Sequence, residues 1–261
     1  MSREIETADD LSRSAKLWLL ASVFVVAASG LVYELIAGAI SSYLLGDAVT
    51  QFSLVIGVFL SAMGIGSYLV KFIQRDLLVW FVRLELWIAL VGGLSSLIMF
   101  TTGAFFEDIF GVVFYTICIL IGALVGAEIP LLIRILNKGE GLSEALSNVL
   151  ALDYIGALVG SILFPMVVLP WVGIARASVV FGLLNLVVAW IGIRMLPDKP
   201  RKYLTQRFIG VLIALLGLLF SSQQLVSFME DVLYQDEVVY AEDTPYQRII
   251  VTRWRDDVRL Y

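Results

Sequence analysis

The sequence predicts an all-α, multi-pass membrane helical bundle of about seven spans that ends in a short antiparallel β segment. Two observations carry this reading. The 261 residues are 60% hydrophobic, with mean hydropathy +0.92 and only 16% charged, whereas soluble domains sit nearer half apolar and a quarter charged. The apolar residues fall into seven long runs, and the composition then changes near Phe228 to a pattern rich in Val, Ile, Tyr and Thr.

A bilayer crossing takes about 20 apolar residues at about 1.5 Å each. Residues 1–16 are polar and mixed in charge and form the expected cytoplasmic N-terminus. Residues 17–228 form the expected membrane domain. Its runs are Leu17–Leu45, Gln51–Ile73, Leu77–Thr101, Ile109–Ile135, Leu142–Leu169, Gly173–Met195 and Arg207–Val226. The first run is too long for a signal-peptide core and is read as retained. The seventh is the weakest, because Ser221, Ser222, Gln223 and Gln224 occupy its second half. It either crosses or lies on the inner surface.

Positive charge orients the bundle. One set of connections holds Arg3, Arg13, Lys16, then Lys71 and Arg75, then Arg134 and Lys138, then Arg194, Lys199, Arg201 and Lys202. The opposite set offers only Arg176. Lys and Arg collect in cytoplasmic loops, so the N-terminus is expected inside. Seven crossings then put the C-terminal tail outside; six put it inside.

Internal similarity suggests an inverted three-helix repeat. Placing Glu34 on Glu128 also places Ser53 on Ser147, Gly66 on Gly160, Ser67 on Ser161 and Leu69 on Leu163. Three spans separate the copies, so the second would be inverted, as in many transporter folds. The string IGALVG occurs at Ile121–Gly126 and again at Ile155–Gly160. Small residues four apart let helices approach closely, and the fourth and fifth spans are expected to pack through these faces. Self-association into a homo-oligomer is left open.

Glu34, Glu128 and Asp153 sit within apolar stretches. A charged carboxylate at mid-bilayer costs about 2.5–3.5 kcal/mol, so such residues usually face the protein interior. With Tyr154 beside Asp153, these residues form a candidate intramembrane cation site. The plain alternative is that Glu34 and Glu128 lie near an interface and are solvated. Pro130 should kink the fourth span and free the carbonyl of Gly126, a second polar feature beside Glu128. Arg83 and Glu85, near the start of the third run, are expected at the interface. Trp18, Trp80, Trp171 and Trp190 fall near run ends, as an aromatic belt does.

Several classes are disfavoured. There is no histidine, which removes the commonest metal ligand and general base; neither a metal nor a cofactor is expected. The single cysteine, Cys118, lies in an apolar run and is read as packing. A net charge of −5 offers no basic field for nucleic acid.

Residues 229–261 are expected to begin a β-domain. Glu237–Tyr240, Gln247–Trp254 and Val258–Tyr261 read as three short strands joined by turns at Ala241–Pro245 and Arg255–Asp257.

The segment DTPYQRIIVTRWRDDVRLY (Asp243–Tyr261) resembles the opening strands of polyamine aminopropyltransferases, the spermidine synthase family. The strings Gly30–Leu69, GAEIPLL (Gly126–Leu132) and ALDYIGALVGSILFP (Ala151–Pro165) resemble the membrane domain fused ahead of the synthase in membrane-bound bacterial members. The resemblance implies a bacterial inner-membrane protein. It also implies transfer of an aminopropyl group from decarboxylated S-adenosylmethionine to putrescine. Of that family's binding residues only the glutamine after the first turn has a match here, Gln247, which the resemblance assigns to the methylthioadenosine moiety. No G-x-G-x-x-G follows a strand, so these residues alone are not expected to be a working synthase. The alternative function is a transporter-like module that binds a polyamine or another cation through Glu34, Glu128 and Asp153.

Overall fold

A computed structural model describes residues 13–234, 237–243, 248–254 and 257–260. Seven helices come first: α1 (Arg13–Leu45), α2 (Ala48–Leu69), α3 (Leu77–Phe105), α4 (Glu107–Glu140), α5 (Leu142–Leu163), α6 (Ile174–Arg194) and α7 (Asp198–Tyr234). All seven are long and apolar enough, by length and composition, to cross a membrane. A 3₁₀ turn, Val70–Phe72, ends α2. A π-helical stretch, Phe164–Val172, extends α5. It contains Pro165 and Pro170, which lack the N–H a regular helix needs. Gly173 closes it, with its N–H pointing to the carbonyls of Val168 and Leu169.

The strands β1 (Glu237–Asp243), β2 (Arg248–Trp254) and β3 (Asp257–Leu260) form an antiparallel meander in the order β1-β2-β3. Val238 faces Thr252 and Thr252 faces Arg259, with an irregularity between Val238 and Tyr240. The helix-to-strand break falls later than the expected boundary at 229. α7 runs on to Tyr234, and strand begins only at Glu237.

The helix boundaries follow from local chemistry. Asp47 takes a left-handed backbone conformation at the start of α2 and caps it, accepting from the Thr50 N–H at 3.3 Å and the Thr50 hydroxyl at 2.7 Å. These bonds favour the charged form and hold its carboxyl below the usual range. At the other end of α2, Arg134 Nη1 donates to the carbonyls of Val70 at 3.0 Å and Ile73 at 2.6 Å. A cation thereby meets carbonyls at the helix end, joining the Ile73 N–H at that of Val70.

Small residues decide which helices touch. A Cβ built on Gly66 of α2 would lie 1.9 Å from the Ala123 carbonyl oxygen, and one on Gly126 of α4 would lie 2.2 Å from that of Met63. Backbone therefore meets backbone where α2 crosses α4. The second IGALVG copy does the same elsewhere. Gly156 and Gly160 of α5 lie against Phe24, Ala27 and Ala28 of α1. The expectation that the two copies pack against each other is corrected: each glycine face meets a different helix. A third close crossing joins Gly182 of α6 to Ala89 and Gly93 of α3.

The main pairings among α1–α6 are α2 with α4, α1 with α5, α3 with α6, α3 with α4, α1 with α6, α1 with α2, and α4 with α5. That set is unchanged when α1 is exchanged for α4, α2 for α5 and α3 for α6. α7 lies outside the exchange and packs on α3 and α6, where Leu215 meets Gly93 and Gly182.

Large apolar side chains fill the interior, among them Tyr33, Ile36, Phe59, Phe114 and Leu131. Cys118 is fully buried with them, as its apolar neighbours imply. Others point outward from α2, α5 and the π-helical stretch, including Leu60, Ile65, Ile155, Leu158 and Met166.

The α2–α4 crossing gives a first prediction. Gly66→Ala should destabilise the bundle by about 1–3 kcal/mol, because the clashing atom is backbone and cannot rotate away. Gly57, which faces open space, is the control, and Gly57→Ala should be neutral or gain up to about 1 kcal/mol from helix propensity. Thermal unfolding of both variants in detergent tests the contrast; equal melting temperatures would refute the crossing.

Candidate functional site: a buried acidic centre

Four helices bring one polar side chain each into the middle of an otherwise apolar bundle: Tyr33 of α1, Glu85 of α3, Glu128 of α4 and Asn185 of α6. All four are at most 1% exposed. Asn185 Nδ2 donates to the Tyr33 hydroxyl oxygen at 3.3 Å. Both carboxyl groups lie within electrostatic range of that hydroxyl. They also lie side by side, close enough to share a proton, and no other donor among the described residues reaches any of their four oxygens. The Asn185 Oδ1 is likewise without one.

Packing explains the placement. The Tyr33 ring lies across α3 at Gly92, where a Cβ would sit 2.5 Å from the ring's Cζ. Only glycine leaves room for it. Glu85 is eight residues past the start of α3, about 12 Å along the helix. Glu128 precedes Arg134 by six residues on α4, and Arg134 is committed to the end of α2. The nearest basic candidate therefore does not neutralise Glu128.

The charge balance is decisive. Two buried, unsolvated carboxylates without a counter-charge would cost several kcal/mol each. The centre therefore needs compensating positive charge: a proton on a carboxyl group, or a small bound cation held by carboxylate, amide and hydroxyl oxygens.

The sequence-derived site is partly assembled. Glu128 is at the centre, and Asp153 lies on α5, which packs on α4. Asp153 itself is half-buried. Tyr154 is 68% exposed and points away from the group. Glu34 is half-buried on another face of α1, within electrostatic range of Cys118. Gln247 lies outside the described residues. Two expectations are corrected. Glu85 is not interfacial but fully buried. The Gly126 carbonyl freed by Pro130 is not an open ligand, because the Ser67 hydroxyl of α2 donates to it at 2.7 Å.

Sequence reasoning missed Tyr33, Glu85 and Asn185. Glu85 carried a usable signal, since it lies eight residues inside its apolar run. Asn185 lies similarly deep in an apolar run. Tyr33 carried none, because tyrosine is common at both interfaces and cores.

The arrangement defines a class: an α-helical bundle with a buried acidic centre, continued by a small β-meander. No family model matches the chain, and no solved structure matches it. Curated relatives do. A polyamine aminopropyltransferase of Leptospira interrogans is 47% identical over 93% of this chain, a match that covers 49% of the relative. Polyamine aminopropyltransferase 2 of Ralstonia nicotianae is 44% identical over 93% of the chain and is covered over 49% of its length. A polyamine aminopropyltransferase of Mycobacterium tuberculosis is 34% identical over 100% of the chain, helices and strands alike, and is covered over 52%. The chain thus spans about half the length of the curated relatives it matches.

The charge argument predicts how the centre tolerates change. The double variant Glu85→Gln, Glu128→Gln removes the buried charge while keeping shape, and should be as stable as wild type or more so, within about 1 kcal/mol. Tyr33→Ala should cost about 3–5 kcal/mol through the lost ring. Thermal unfolding followed by near-UV circular dichroism tests both. A loss above about 2 kcal/mol in the double variant would mean that the carboxylates are structurally paired.

Proposed function

We propose that this chain is the membrane domain, with the first strands of the synthase domain, of a spermidine synthase-like polyamine aminopropyltransferase. The observation that carries the reading is the similarity to proteins of that name across helices and strands alike. In this reading the whole protein transfers an aminopropyl group from decarboxylated S-adenosylmethionine to putrescine, and these residues hold the enzyme in the membrane without its catalytic domain. The lack of a glycine-rich strand–turn–helix in the sequence favours that division.

Membrane placement is part of the proposal. Outward-facing Leu60, Ile65, Ile155, Leu158 and Met166 form apolar surface of a kind that water-soluble monomers avoid. The connection after α2 carries Lys71 and Arg75, the end of α4 carries Lys138 and the start of α7 carries Lys199 and Arg201, which puts these ends and the N-terminus in the cytoplasm. Leu215 of α7 packs against the middles of α3 and α6, which favours a crossing over a surface helix. Seven crossings put the strands on the opposite side from the N-terminus. The exchange-symmetric pairing favours reading α1–α3 and α4–α6 as an inverted repeat.

A second reading is favoured by the buried centre: the bundle binds or conducts a cationic polyamine. It requires Glu128, Glu85 and Asp153 to act as ligands.

Two measurements test these readings. Reporter fusions after Arg75, after Lys138 and after Tyr261 should report inside, inside and outside. Protein made from the uninterrupted reading frame should form spermidine and methylthioadenosine, while these 261 residues alone form none. Absence of that activity in the former would overturn the enzymatic reading. For the second reading, spermidine should bind the purified chain and bind more weakly after Glu128→Gln or Asp153→Asn; unchanged affinity in both variants excludes it.

A further inference from the structure

A groove of about 420 Å³ runs along the outside of the bundle between α3 and α7. Arg83, Leu86, Trp87 and Leu90 of α3 line one wall; Leu204, Arg207, Gly210 and Val211 of α7 line the other. On each helix these residues recur at three- and four-residue intervals, so each wall is a single helical stripe. Both helices start from the Lys- and Arg-rich connections. Arg83 is the first lining residue of α3 and Arg207 follows only Leu204 on α7, so both arginines sit toward the cytoplasmic end of the groove, and the remaining residues continue toward the bundle middle.

The arginines are held but not neutralised. The Arg83 guanidinium lies 5.0 Å from the Trp80 ring, and that of Arg207 lies 4.4 Å from the Tyr203 ring. Among the described residues neither has a carboxylate partner. Two cations thus open onto one apolar trough, each oriented by an aromatic ring of the kind that marks a headgroup level. Gly210 leaves the floor open, since a Cβ there would meet nothing within 4 Å.

We propose that this groove binds an anionic phospholipid, its phosphate on Arg83 and Arg207 and an acyl chain along Trp87, Leu90, Gly210 and Val211. Charge complementarity selects the occupant. Guanidinium groups match phosphate oxygens in paired hydrogen bonds. Basic pockets between helices on the cytoplasmic side suit anionic lipid headgroups. A zwitterionic lipid offers the same tail but brings its own cation to the arginines. The proposal rests on the membrane placement argued above.

The test uses the full chain reconstituted into phosphatidylcholine vesicles with and without phosphatidylglycerol, followed by gentle detergent extraction and native mass spectrometry of retained lipid. Wild type should retain phosphatidylglycerol in preference to phosphatidylcholine. The double variant Arg83→Gln, Arg207→Gln should lose that preference by roughly thirtyfold. Gly210→Phe keeps both charges but fills the trough, and should abolish retention while leaving the melting temperature unchanged. Equal retention of the two lipids by wild type, or undiminished preference in both variants, overturns the proposal. Alkaline carbonate extraction separates the two failures. A chain that stays in the membrane pellet without lipid preference defeats only the groove, whereas a chain released by carbonate defeats the membrane reading and the groove together.

Discussion

Backbone contact between helices is the constraint on which the rest of this structure depends. At Gly66 and Gly126 the main chains of α2 and α4 come so close that one added carbon would overlap a carbonyl. Such contact needs small residues on both helices at matching heights, and it fixes the crossing far more tightly than apolar burial does. Leucine will pack against almost any apolar neighbour, but a glycine seat accepts only the backbone that fits it. The same crossing absorbs the one internal proline of α4. Pro130 leaves the Gly126 carbonyl without its helical donor, and Ser67 supplies one because α2 is near enough to do so. A defect in one helix thus becomes a cross-link between two.

The acidic centre follows from that geometry. With α2 locked on α4 and α5 on α1, the inner faces of α1, α3, α4 and α6 are left to close on one another. Gly92 lets the Tyr33 ring lie flat across α3, and Asn185 holds its hydroxyl from α6. Glu85 and Glu128 are then enclosed side by side, away from solvent. A bundle held together only by apolar contact would have no reason to keep them. Their enclosure in a closed, tightly seated core is the most costly feature of the packing.

The number and order of helices were legible in the sequence because they depend on run length and hydropathy, which are local. The three strands were legible for the same reason, through alternation and turn residues. Helix partners were not. The two IGALVG strings correctly marked close contacts, but a string cannot name the helix it meets, and Gly156 found α1 rather than α4. Glu128 was found because a carboxylate deep in an apolar run is conspicuous. Glu85 was misplaced because depth was judged from the start of the run, although eight residues of helix already carry a side chain about 12 Å inward. Tyr33 and Asn185 acquire meaning only from three-dimensional neighbours.

The seventh helix stands apart from the exchange that relates the other six, and its position gives that asymmetry a use. It packs on α3 and α6, the helices that carry Glu85 and Asn185, and continues without a break to Tyr234 just ahead of β1. At 37 residues it is about 56 Å long, more than the roughly 30 Å of a bilayer core. A continuous helix resists bending, so its tilt is set where Leu215 seats on Gly93 and Gly182, and the same tilt sets where the strands begin. α3 and α6 both meet α7 at that seat, so their spacing bears on it directly. The centre and the sheet lie at different levels of the molecule, but the two helices that enclose the one also orient the support of the other.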